Sequence, residues 1–224
     1  MKKFVFAIFA SLAVLAGQAQ AAFDLQVTEL WAGNDPNPDL TDDWFEITNV
    51  GDMPWTAAVD GPIFYDDDSQ AAASAAAIEG IPSIAAGESV IVTIGTLIGP
   101  IDWNSVWAGL APAGTQVGYA DGSGLGGGND GATIFLDANM NGPEAGEIVD
   151  FEGYIDADGS AGQSYDPVLG AYSVMGQFGA VGAGPNSNGQ FAVGTPGSVP
   201  TIPEPASLLL AAMAFAGTAI RRRK

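Results

Sequence analysis

The feature that most restricts the fold of this chain is the absence of basic side chains from its long middle part. The six Lys and Arg residues lie at positions 2, 3 and 221–224, and the 224-residue chain has no His. All 26 Asp and Glu residues lie between these ends. The middle part therefore forms no internal salt bridge with Lys or Arg. Positive charge confined to the ends is typical of signals that set membrane topology.

The first 21 residues have the pattern of a secretory signal peptide. Two lysines precede an apolar run over 4–17, and the small residues Ala19 and Ala21 follow it. A packed helix would show a polar face, which this run lacks. We therefore predict a signal peptide over 1–21 that signal peptidase cleaves after Ala21.

The last residues combine a proline motif, an apolar run and a basic cluster. The run over 206–220 would rise about 22 Å as a helix, short of the roughly 30 Å hydrocarbon core, so it predicts a marginal transmembrane helix. The basic cluster is expected to stay on the cytoplasmic side as a topology stop. The motif is Pro203, Glu204 and Pro205, and the cluster is Arg221, Arg222, Arg223 and Lys224.

This segment resembles the PEP-CTERM sorting tail. The resemblance implies recognition by the membrane enzyme exosortase, removal of the apolar tail, and release or attachment at the surface of a Gram-negative bacterium that often produces exopolysaccharide. Contact with the inner membrane would then be transient, through the C-terminal helix. The alternative is a simple C-terminal anchor that is never cut.

Residues 22–198 are long enough for one domain with a sizeable core. The chain is 47% apolar and has no Cys, so burial rather than disulfides must stabilise it. Its charge of about −25 without the ends makes nucleic acid an unsuitable partner, because binding a polyanion requires Lys and Arg.

Short apolar and β-branched runs between turn residues predict strands over 25–30, 44–48, 61–65, 89–94, 133–136 and 148–154. Their spacing favours an antiparallel sandwich. The alanines over 69–78 favour two helical turns, and the Gly-rich segment over 174–201 favours an extended edge or linker.

Five local patterns in this order resemble the lamin-tail domain, over about residues 24–197. The resemblance implies an all-β, immunoglobulin-like antiparallel β-sandwich, here between an N-terminal signal helix (1–21) and a C-terminal sorting tail (199–224) with a short transmembrane helix. The patterns are Val27-Thr28-Glu29-Leu30, Asp43-Trp44-Phe45-Glu46-Ile47-Thr48-Asn49, Ile84-Ala85-Ala86-Gly87-Glu88-Ser89-Val90, Asp121-Gly122-Ser123-Gly124-Leu125-Gly126 before Asn129-Asp130-Gly131-Ala132, and Gly194-Thr195-Pro196-Gly197.

Glu46 is a carboxylate that the strand alternation places on a buried face. It follows Trp44 by two positions, so both lie on one face of a regular strand. Backbone amides, Tyr, Trp or a cation must then satisfy it, unless a bulge turns it outward. We favour bonds to loop amides that fix the fold over a catalytic role.

The residue types that are missing from the middle part exclude most catalytic mechanisms. A Ser nucleophile has no His or Lys base, and the middle part has no thiol and no guanidinium. Two carboxylates remain chemically competent for glycoside hydrolysis, and an all-oxygen metal site for water activation, but no cleft is evident in the sequence. We expect no enzymatic activity.

Calcium is the one cofactor that the sequence suggests. Alternating Asp and Asn before Gly142 present oxygens at every second position of a tight loop, as Ca²⁺ requires. Against a helical calcium loop, the twelfth position is Ile148. The alternative is a polar hairpin between two strands. The candidate ligands are Asp137, Asn139, Asn141, Glu147 and Asp150.

The sequence thus predicts an exported, exosortase-sorted, non-enzymatic structural or adhesive protein of the cell surface or extracellular matrix. The alternative is a calcium-dependent binding module for exopolysaccharide or a surface partner, with Tyr154, Tyr165 and Tyr172 stacking on sugar rings. A carboxylate glycosidase is a third, more distant interpretation.

Overall fold

The computed structural model describes residues 22–32, 42–126, 128–155, 162–185 and 189–198. This part is mostly β, as predicted, and each of the six predicted runs overlaps a strand. The strands are β1 (Leu25–Trp31), β2 (Trp44–Asn49), β3 (Trp55–Thr56), β4 (Ile63–Asp66), β5 (Ala76–Glu79), β6 (Ser83–Ile84), β7 (Ser89–Ile94), β8 (Val117–Ala120), β9 (Asp130–Leu136), β10 (Ile148–Tyr154), β11 (Tyr165–Asp166), β12 (Ala171–Tyr172), β13 (Val181–Ala183) and β14 (Ala192–Gly194), with helices α1 (Ala57–Asp60) and α2 (Gly99–Trp107).

Ten strands form one curled sheet in the order β10-β9-β4-β5-β8-β7-β2-β1-β11-β12. Its pairs are antiparallel except β7 with β8, which run parallel, whereas the sequence predicts an antiparallel arrangement throughout. The sheet curls until edge strand β10 reaches β1, where the Val27 amide donates to Asp150 Oδ2 at 2.6 Å. Two further two-stranded sheets, β3–β6 and β13–β14, complete the fold.

The main core lies on the concave side of this curl. Alternation along β1, β2 and β7 turns Val27, Ile47 and Val90 inward, where each is at most 2% exposed. Strands β4 and β9 close the core from the opposite side with Ile63 and Ile134. The alternating pattern of apolar residues thus places this core.

The opposite face of β1, β2 and β7 is also buried, in what we call the tryptophan layer. Helix α2 covers this face with Trp103 and Trp107, and strands β13 and β14 add small residues. Trp44 lies at the centre of the four indoles. Its ring centroid is 6.2 Å from Trp31, 6.2 Å from Trp103 and 5.8 Å from Trp107.

Two local predictions are wrong. Residues 69–78 do not form a helix, because Ala76 and Ala77 pair with β4 in strand β5. The segment over 174–201 is not a linker, because its described part contains β13 and β14, and both Ala183 and Ala192 are buried in the tryptophan layer.

The signal peptide, with Ala19 and Ala21, and the sorting tail lie outside the described residues. In the described ranges, no helix has the length and apolar character needed to cross a membrane.

Candidate functional site: a buried carboxyl pair beneath the closing turn

Two glutamates face each other within the tryptophan layer. Glu29 on β1 pairs in register with Glu46 on β2, and each is 1% exposed. A β-bulge between Val27 and Glu29 shifts the alternation of β1, so that Val27 and Leu30 both face the main core while Glu29 takes the face of Glu46. The bulge is therefore what brings the two carboxyl groups together.

Glu29 is held by groups from the far end of the described chain. Its Oε1 accepts hydrogen bonds from the Ser164 hydroxyl and, at 2.6 Å, from the Thr195 amide. The Ser164 hydroxyl is also hydrogen-bonded to Ser173 at 2.9 Å. Within the described ranges, Oε2 of Glu29 is buried and has no hydrogen-bond partner.

Glu46 is bound by the same turn. Its Oε2 accepts from the Gly197 amide at 2.5 Å, and its Oε1 accepts from Thr28 at 2.7 Å and from Thr48 at 3.3 Å. This agrees with the prediction that loop amides satisfy Glu46. We call residues 194–198 the closing turn, since it covers both carboxyl groups.

Burial without a nearby cation shifts the protonation of the pair. Burial, with the charge of Glu46 as a second cause, raises the pKa of Glu29 to about 8 from an ordinary 4.5, against the opposing effect of its hydrogen bonds. Burial also raises the pKa of Glu46, although its hydrogen bonds to Thr28 and Gly197 oppose the shift. Glu29 therefore keeps its proton to a higher pH than an exposed glutamate does.

The closing turn requires glycine at two positions. A Cβ on Gly194 would lie 2.8 Å from Oε1 of Glu29 and 3.2 Å from the Ser164 hydroxyl. Gly197 has a φ of +77°, and a Cβ there would lie 2.7 Å from Pro112 Cδ. The Gly-Thr-Pro-Gly pattern thus fits the turn closely against the carboxyl pair.

The geometry gives the pair a structural rather than a chemical use. Glycoside hydrolysis needs two carboxyl groups that reach a sugar across an open cleft. Glu29 and Glu46 are each 1% exposed, and their oxygens are bound mainly by the strands, Ser164 and the closing turn. The pair connects the sheet to residues 164–197.

The predicted calcium ligands occupy the turn between β9 and β10. Asp137 accepts the amides of Asn141 and Gly142 at 3.0 and 2.9 Å. The Asn139 side chain donates to Glu147 at 3.1 Å. These contacts are those of a polar hairpin, the alternative interpretation.

Asp150 lies apart from that turn, since it accepts the Val27 amide from β1. In the described part of the chain, no group of three or more acidic residues is arranged to hold a metal ion. Calcium binding stays a prediction.

The three predicted sugar-stacking tyrosines differ in exposure. Tyr154 is 4% exposed, and its hydroxyl donates to the Gly126 carbonyl at 2.5 Å. Tyr165 packs edge-on against Tyr172, with ring centroids 5.3 Å apart. Tyr172 lines a cavity, which has a volume of about 250 Å³.

Sequence reasoning missed two residues of this cavity. Asp166 lies at the end of β11 and Phe178 in the loop after β12. No local pattern marked either residue, because Asp166 lies outside the predicted strand runs and the segment from 174 onward has no apolar periodicity.

Comparison with known proteins identifies the tail. Residues 201–224 match the family described as PEP-CTERM protein-sorting motif, which confirms the resemblance noted in the sequence. No curated protein and no solved structure matches the chain. The motif indicates a protein that is exported, processed by exosortase and sorted to the cell surface.

Proposed function

We propose that this protein is a non-enzymatic structural or adhesive component of the cell surface or extracellular matrix, and that its body is a lamin-tail-like sandwich. The observation that carries the proposal is the sorting motif over 201–224, three residues beyond the closing turn. A non-enzymatic role is further supported by the composition of the body and by the burial of its carboxyl pair. The body offers no His or Lys base, and its central carboxyl pair is covered.

The proposal is tested by fractionation of the producing cells with intact-mass analysis of the protein. We expect surface or extracellular protein that lacks residues 1–21 and the apolar tail. Replacing the motif with Pro203→Ala and Glu204→Ala should leave the tail attached and the protein in the membrane fraction. The matched control, Pro185→Ala with Glu144→Ala, should be processed normally. Cytoplasmic protein with both ends uncut would overturn the proposal.

Trypsin gives a second, inexpensive measurement. Since residues 22–220 contain no Lys or Arg, the processed body should survive trypsin even after denaturation. Cleavage of the unprocessed form is confined to its two ends. Retention of the ends is therefore visible as a mass loss after digestion.

The alternative function is a calcium-dependent module for exopolysaccharide. The aromatic cavity beside Tyr172 favours the glycan part of that alternative. The hairpin at 137–147 gives its calcium part no comparable support, since its polar groups bind one another.

A further inference from the structure

We propose that the cavity between Tyr172 and Phe178 is a binding site for a neutral saccharide, with Asp166 as its polar anchor. This deepens the proposed surface role and depends on it for the source of the ligand. The cavity lies where the β11–β12 hairpin meets the following loop and Thr195 of the closing turn. Its volume of about 250 Å³ is suited to a short saccharide segment rather than to a protein domain.

Phe178 is the first observation that favours a ligand. Its side chain is 68% exposed, so it contributes little to the core. Its φ of +48° lies in the left-handed region, which bulky residues rarely adopt. Such strain is concentrated at binding and active sites, where the surrounding structure enforces it. Here it holds an aromatic ring at the rim of a cavity.

Asp166 is the second observation. It is 1% exposed, and its Oδ1 accepts the Leu169 amide at 3.0 Å. Within the described ranges, Oδ2 is buried and has no hydrogen-bond partner. Buried polar atoms in folded proteins are almost always bonded, so an unpaired acceptor on a residue that lines a cavity favours a ligand with hydrogen-bond donors. Saccharide hydroxyls are donors of this kind.

The remaining lining suits the two sides of a pyranose ring. The C–H face of a sugar is apolar and packs on the negative face of an aromatic ring such as Tyr172 or Phe178. Its hydroxyls can bond the exposed side chain of Gln177, which lines the same cavity. A mainly apolar wall with a few placed polar groups is the usual composition of a small-ligand site.

Charge restricts the ligand further. Residues 22–198 contain no Lys, Arg or His, so no side chain there neutralises a carboxylate, sulfate or phosphate. The field of the acidic body also repels anions. These facts favour a neutral saccharide over an acidic one. A cationic ligand is the competing class, and the experiment separates it.

The test is isothermal titration of the processed protein with three probes. They are the neutral fraction of the producing strain's exopolysaccharide, an acidic polygalacturonate oligomer and a hexalysine peptide. We expect binding of the neutral fraction only. Phe178→Ala and Asp166→Asn should each weaken that binding by about tenfold or more, while Phe178→Trp retains it. The control Phe151→Ala removes an exposed ring outside the cavity and should bind normally.

Several outcomes overturn the proposal. They are the absence of neutral-fraction binding, preferential binding of hexalysine or polygalacturonate, and binding that Phe178→Ala leaves unchanged. Thermal melts of each variant identify a loss of fold, and Phe178→Ala should melt within a few degrees of the wild type, since the ring is exposed. Surface protein that does not bind would refute this site alone. Unprocessed cytoplasmic protein would instead refute the proposed function.

Discussion

The two faces of β1, β2 and β7 differ in how they are buried. On one face aliphatic side chains meet other strands of the same sheet. On the other face, tryptophans and two glutamates are covered by α2 and by the closing turn, about 150 residues away in sequence from β2. The comparison teaches that a strand can bury a polar face when distant backbone amides arrive to satisfy it.

The two layers should also respond differently to solution conditions. Burial of aliphatic surface contributes about 25 cal/mol per Å² and is independent of pH. The tryptophan layer contains titratable carboxyl groups and four indole N–H groups that, in the part of the chain described, have no hydrogen-bond partner. The stability of the tryptophan layer should therefore depend on the protonation of these carboxyl groups and on how completely the layer is covered.

The largest expected effect is from removing the ring at the centre of the tryptophan layer. Trp44→Ala should lower the free energy of unfolding by about 3–5 kcal/mol, because it leaves a cavity among three other indoles. Urea denaturation measures this loss. Phe45→Ala, its neighbour facing the main core, is the matched control and should lose a similar amount. A loss below 1 kcal/mol for Trp44→Ala alone would show that the tryptophan layer is not a packed core.

The second effect is a pH dependence to which Glu29 of the tryptophan layer contributes. The folded protein keeps the Glu29 proton up to about pH 8, while the unfolded chain releases it near pH 4.5. Unfolding thus releases a proton between these values, so the contribution of Glu29 to stability is greatest below about pH 4.5 and falls as pH rises toward 8. At 1.36 kcal/mol per pH unit the loss amounts to as much as about 4 kcal/mol.

Glu29→Gln tests this assignment. Denaturation at pH 5, 7 and 9 should show a smaller decline, with the variant more stable than the wild type at pH 9. The control Glu79→Gln changes a carboxylate that lies on the surface and should retain the decline. An unchanged slope in Glu29→Gln would remove Glu29 from the explanation.

A smaller effect isolates the fit of the closing turn. Gly197→Ala combines an unfavourable φ with a Cβ placed 2.7 Å from Pro112, so it should destabilise by about 2–3 kcal/mol. Gly170→Ala is matched, since Gly170 has a φ of +64° but open space around it, and should cost about 1 kcal/mol. Thermal melts compare the two. Equal losses of stability in the two variants would mean that the closing turn is not tightly packed against Pro112.

The smallest effect concerns a region outside both layers. Asp137→Ala removes the acceptor of two loop amides and should cost about 1–2 kcal/mol. A polar hairpin predicts the same loss with and without millimolar calcium. A calcium-induced rise in melting temperature that Asp137→Ala abolishes would instead support the calcium interpretation.

The sequence predicted best where local alternation decides the structure. The run over 89–94 has the bounds of β7, because its apolar residues alternate between the two faces of the sheet, and the run over 148–154 has the bounds of β10. Prediction from the sequence failed where pairing with a distant segment decides the secondary structure. The alanines of β5 prefer a helix in isolation, but pairing with Phe64 and Tyr65 outweighs that weak preference.

The site was predictable only in part. The spacing of Trp44 and Glu46 correctly placed both on one buried face. Glu29 was not recognised, because a bulge changes the alternation of β1 and no sequence rule gave the register of β1 on β2. The Gly-Thr-Pro-Gly pattern was visible, but its bonds to both glutamates depend on the folded path of the chain.

The closing turn also fixes an order of events during secretion. A chain that crosses the membrane from its N-terminus brings β1 and β2 across long before residues 194–197. Until those amides arrive, Glu29 lacks the Thr195 donor and Glu46 lacks the Gly197 donor, and the indoles of β1 and β2 lack part of their cover. The tryptophan layer is therefore completed by residues that directly precede the sorting motif, so one short stretch of chain both finishes the body and carries the signal that follows it.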